Sequence, residues 1–120
     1  MDAARDLASE MRKAAVNDVA RIRAVNERIV ALDPFDGDAH TILGRLAMDR
    51  NEPEVAMRDF KVALARRPVD LAAAHTDLAG SYFKAGRSAD AKKETLAALE
   101  IAPTYPPAQE LLLKLVEARP

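Results

Sequence analysis

Apolar residues recur every three or four positions along almost the whole chain, the spacing of amphipathic helices. No stretch alternates apolar with polar residues over a useful length, so strands are not expected. Leu7, Met11, Ala14 and Ala15 mark one face of a helix over about 3–15, and Val19, Ile22, Val25, Ile29 and Val30 continue the spacing. Asn17-Asp18 reads as a break, with Asp18 capping a second helix. No Gly or Pro interrupts this segment, so one long helix is the competing reading; two helices are preferred. Further helices are predicted near 38–50, 53–66, 71–85 and 88–101, and a last one over about 106–118. Pro34, Pro68 and Pro103 displace Asp33, Arg67 and Ala102 from helical geometry and so end every second helix.

The pattern repeats. His40, Leu43, Gly44, Ala56, Ala63 and Pro68 recur as His75, Leu78, Ala79, Ala91, Ala98 and Pro103, each 35 positions later, and Pro34 precedes Pro68 by 34. Such a period marks stacked helix–turn–helix units that bury their apolar faces only against neighbours. Gly44 and Ala79 let the first helix of a unit approach the second. Ala56, Ala63, Ala91 and Ala98 do the same from the other side, and Phe60 and Tyr82 fill the remaining space. Asn51 and Gly86 stand at equivalent turns and tolerate the left-handed conformation that ends a helix. Pro53 suits the first turn of its helix, and Ser88 is the expected cap of the equivalent one. One extra residue near Val69–Leu71 is assigned to the loop between units.

Leu43-Gly44, Ala56, Phe60, Ala63 and Pro68, followed by Leu78-Ala79, Tyr82, Ala91, Ala98 and Pro103, resemble the tetratricopeptide repeat family. His40 and His75 replace the family's Trp, Ala47 its Tyr, and Thr95 the counterpart of Phe60. The resemblance implies an all-α, right-handed superhelical stack of antiparallel helix pairs closed by a C-terminal capping helix. Residues 1–35 would be a degenerate N-terminal unit, 36–69 and 70–104 two repeats, and 105–120 the cap. In the first segment Ser9-Glu10 take the Leu-Gly positions and Asn26 the aromatic one.

Composition fits one domain of 120 residues, 31% charged and 4% aromatic. A net charge of −1 gives no basic footprint for nucleic acid or an anionic membrane. The absence of cysteine excludes disulfides and thiolate metal sites and leaves the compartment open. Met1-Asp2-Ala3-Ala4-Arg5-Asp6 has no apolar run of the signal-peptide kind, and no membrane-spanning segment is expected.

Little in the chain suggests catalysis, a cofactor or a metal. His40 and His75 occupy one repeat position, normally a packing aromatic, and helices stacked about 8–10 Å apart keep them from sharing a metal that needs both at about 2 Å. No nucleophile turn or phosphate loop accompanies Ser81, Ser88 or the threonines. Asp36, Asp38, Glu52 and Glu54 suit helix N-termini. A non-catalytic protein is expected.

In the tetratricopeptide family the first helices of successive units line a concave groove. Carried onto this chain, the groove positions are Thr41, Arg45, Met48 and Asp49, then Thr76, Gly80, Phe83 and Lys84, then Gln109, Leu113 and Val116. Met48, Phe83 and Val116 would form an apolar stripe, with a hollow beside Gly80. Such a groove would take an extended peptide or amphipathic helix of a partner protein. The competing reading makes these side chains part of the core. Asp38, Asp49 and Asp77 argue against a partner with an acidic C-terminus. Two other roles stay open: an accessory C-terminal segment of a larger, possibly enzymatic, protein, or self-association through the apolar last helix, Leu111 to Val116.

Overall fold

The computed structural model describes residues 3–118, and all regular structure among them is helical. The elements are α1 (Ala3–Leu32), α2 (Gly37–Asp49), α3 (Pro53–Ala65), α4 (Leu71–Lys84), α5 (Ser88–Ile101) and α6 (Pro106–Glu117). Short connections oblige successive helices to pack side by side. Each helix touches the next; α2 also meets α4 and α4 meets α6, whereas α3 and α5 stay apart. Hence α2, α4 and α6 form one row. No described helix is long and apolar enough to cross a membrane.

The helix ends repeat with the sequence. Asp36, two residues after Pro34, caps α2 by accepting from the Ala39 N–H at 2.9 Å. Asp70, two residues after Pro68, accepts from the Ala73 N–H at 3.0 Å. Both α2 and α4 end in a left-handed residue, Asn51 (φ 59°) and Gly86 (φ 80°). The following N–H closes the end: Glu52 donates to Ala47 O at 2.9 Å and Arg87 to Tyr82 O at 2.8 Å.

Three local expectations are corrected. α1 is one uninterrupted helix through Asn17-Asp18. Asn and Asp each cost a helix only about 0.7 kcal/mol against Ala, too little to break a chain of good helix formers. The additional residue of the second repeat lies in the first turn of α4, not in the loop. Both prolines precede their helix by three residues, but α4 has 14 residues against 13 for α2. Ser88 is the first residue of α5; Arg87 holds the cap position and makes no side-chain capping bond. Its guanidinium instead lies 4.9 Å from the Tyr82 ring centre and pairs with Asp90 at 2.7 Å.

The core runs through α2 to α6. Ala47, Ala56, Met57, Phe60, Leu78, Ala79, Tyr82, Ala91, Leu111 and Leu115 form one buried cluster. α1 meets only α2. Asn26 is buried there, its Nδ2 donating to Ile22 O at 2.8 Å, and Ile29 and Val30 are half-buried.

Candidate groove on the row of first helices

The row α2–α4–α6 carries all eleven expected groove residues. Thr41 and Thr76 are half-buried, and each hydroxyl donates to its own helix, to Gly37 O at 3.0 Å and Ala72 O at 2.7 Å. Between them Arg45 crosses from α2 to α4, donating to Asp77 Oδ2 from Nη2 at 2.9 Å and from Nε at 3.3 Å. Arg45 stays exposed, while the Asp77 side chain is only 23% exposed. Burial raises the Asp77 pKa above 3.8; the Arg45 bond and charge oppose the rise, and nearby Asp70 adds to it.

This bridge borders two hollows. One, of about 420 Å³, is lined by Arg45, Met48, Asp49, Phe60, Thr76, Asp77 and Gly80. A Cβ placed on Gly80 would meet nothing within 4 Å, so the hollow is open beside it. The other, of about 240 Å³, lies toward the helix starts and includes Asp38, Thr41, Pro68, Val69, Asp70 and Ala73.

Five expected residues, Arg45, Met48, Asp49, Thr76 and Gly80, thus surround one hollow and Thr41 lines its neighbour. Phe83, Lys84, Gln109, Leu113 and Val116 line neither. The stripe of Met48, Phe83 and Val116 is uneven: Met48 and Phe83 lean on the core cluster, whereas Val116 is 57% exposed. Gln109 Nε2 donates to Pro103 O at 3.0 Å, and Lys84 sits in the last turn of α4.

Phe60 at the hollow's floor is absent from the expected set, and Asp77 at its rim is expected only as an acidic group unfavourable to an acidic partner. The separation of Arg45 and Asp77, 32 residues, is one helical turn short of the 35-residue period. That places them at neighbouring levels of adjacent layers, a signal the sequence did contain.

The histidines engage carboxylates. His40 Nδ1 lies 2.8 Å from Asp59 Oδ1 and its Nε2 lies 2.7 Å from Pro34 O. His75 Nδ1 lies 2.6 Å from Glu94 Oε2. Each pair spans 19 residues, and Asp59 and Glu94 are themselves 35 apart. The two histidines therefore have matching partners. Among the described residues no three His, Cys, Asp or Glu side chains cluster closely enough to hold a metal.

No model of a known protein family matches the chain, and no curated protein matches it.

Proposed function

We propose that the chain is a non-catalytic interaction scaffold: a tetratricopeptide-like right-handed stack whose α2–α4–α6 face receives a segment of a partner protein. The hollow beside Gly80 carries this reading. Its wall joins apolar Met48 and Phe60 to the charges of Arg45, Asp49 and Asp77, the mixture needed to seat an apolar anchor and fix its orientation. The repeated helix ends and the paired His–carboxylate bonds support equivalent layers, and the gap between α3 and α5 supports curvature toward the α2–α4–α6 row.

A Cβ on Gly80 meets nothing within 4 Å, so Gly80→Leu places apolar bulk beside the hollow. Peptides selected from a random displayed library on the unaltered chain should lose binding to Gly80→Leu, while circular dichroism reports an undiminished melting temperature. Selection that enriches no peptide, or only peptides that bind both forms equally, removes the groove reading.

A further inference from the structure

α1 holds a strip of large apolar side chains that its own chain leaves in solvent. Leu7, Met11, Ile22, Val25 and Leu32 fall at helical spacing on one face and are 62%, 65%, 47%, 58% and 77% exposed. α2 covers the adjacent face, where Asn26 is buried. The strip extends along roughly 38 Å of helix.

The charges around the strip select its occupant. Asp18 stands at the middle of it. On one flank lie Glu10, Arg21 and Arg28; on the other lie Ala8, Ala15, Val19 and Asn26, none charged. A parallel copy would set the charged flank against the uncharged one. An antiparallel copy brings the charged flanks together. With Leu7 beside the partner's Leu32, Glu10 falls near the partner's Arg28 and Asp18 near the partner's Arg21, each contact made twice by the two-fold axis. The Glu10–Lys13 contact within one copy is exposed and long, at 3.9 Å, and yields readily. Antiparallel order also keeps the two α2–α6 bodies, each attached at the C-terminal half of its α1, at opposite ends.

We propose that the chain forms a two-fold dimer in which the strip on α1 packs antiparallel against α1 of a second copy. This surface is separate from the groove, and either can fail alone.

Sedimentation equilibrium of the full chain should show a monomer–dimer equilibrium. Met11→Glu combined with Val25→Glu should give a monomer of unchanged helix content at low concentration, and Leu113→Glu on α6 should leave the dimer intact. Glu10→Arg or Arg28→Glu alone should weaken it about tenfold, since exposed pairs are modest but each is broken twice. The double reversal should restore it. Because the chain has no cysteine, Leu7→Cys mixed with Leu32→Cys should oxidise to the mixed pair. A monomer at all accessible concentrations overturns the proposal. So does a dimer lost with Leu113→Glu, a double reversal that fails to rescue, or Leu7→Cys cross-linked chiefly to itself.

Discussion

The Phe60 ring fills the space that a side chain on Gly44 would need. A Cβ on Gly44 would lie 2.5 Å from Cε1, 2.7 Å from Cδ1 and 2.9 Å from Cζ of that ring. Close approach of α2 to α3 therefore requires a glycine there. One period later Ala79 and Thr95 occupy the same two positions, and both are fully buried. Thr95 satisfies its hydroxyl by donating to Ala91 O at 2.7 Å. The second layer accepts a methyl group on α4 because the residue on α5 is smaller.

The same substitution should then have opposite signs at two glycines. Gly44→Ala adds a methyl group to a filled core and should cost about 1–3 kcal/mol of overpacking, against a helix-propensity gain of about 1 kcal/mol. Gly80→Ala meets no atom within 4 Å and should show only the propensity gain. Urea unfolding of the two variants checks this; Gly80→Ala less stable than the unaltered chain would contradict it.

Arg67 is the third left-handed residue, at φ 52°, and the least supported. Its N–H donates to Leu64 O at 3.0 Å, but Pro68 follows and has no N–H to make the second closing bond found after Asn51 and Gly86. A non-glycine residue here costs about 1–2 kcal/mol, partly offset in glycine by its greater unfolded-state entropy. Arg67→Gly should raise the melting temperature and Gly86→Ala should lower it. Differential scanning calorimetry of both variants reads the two signs directly.

The His–carboxylate pairs are equivalent in position and unequal in setting. His40 is more buried than His75 and also bonds Pro34 O, tying the α1–α2 connection to α2. Removing a buried partner leaves an unsatisfied group costing about 1–3 kcal/mol. Double-mutant cycles with alanine should give a larger coupling for His40–Asp59 than for His75–Glu94. Equal couplings would show that burial and the second bond add nothing.

Much of this was legible because the period ties each local feature to a second example. Asn51 was readable as left-handed through Gly86, and the loops through three prolines at near-equal spacing. Gly44 was readable as a close approach through the aromatic at Phe60. The carboxylates Asp59 and Glu94 carry the same 35-residue spacing, but each reads in sequence as an ordinary surface acid on α3 or α5. The continuity of α1 was hidden for a different reason. Asn17-Asp18 has no second copy to compare, and the weak preferences of single residues do not decide between a turn and a helix. The unevenness of the groove stripe was also invisible. Position in the repeat places Met48, Phe83 and Val116 on one row, but how far each leans on the core depends on what faces it from α3 and α5.

Asp77 gives the molecule a pH dependence whose sign follows from burial. Its pKa is raised above 3.8 chiefly because its carboxylate is withdrawn from water, and the exposed Arg45 does not fully reverse this. An acid so raised holds its proton more tightly in the folded state than in the unfolded chain. Between 3.8 and the raised value the folded state therefore binds more protons, and this group's contribution to stability falls as pH increases. Asp77→Asn removes that slope. The difference in melting temperature between Asp77→Asn and the unaltered chain should move in the variant's favour as pH rises from below 3.8 toward neutrality. Movement in the other direction would mean that attraction to Arg45 outweighs desolvation, and the bridge would then be a net clamp between α2 and α4 rather than a strained rim of the hollow.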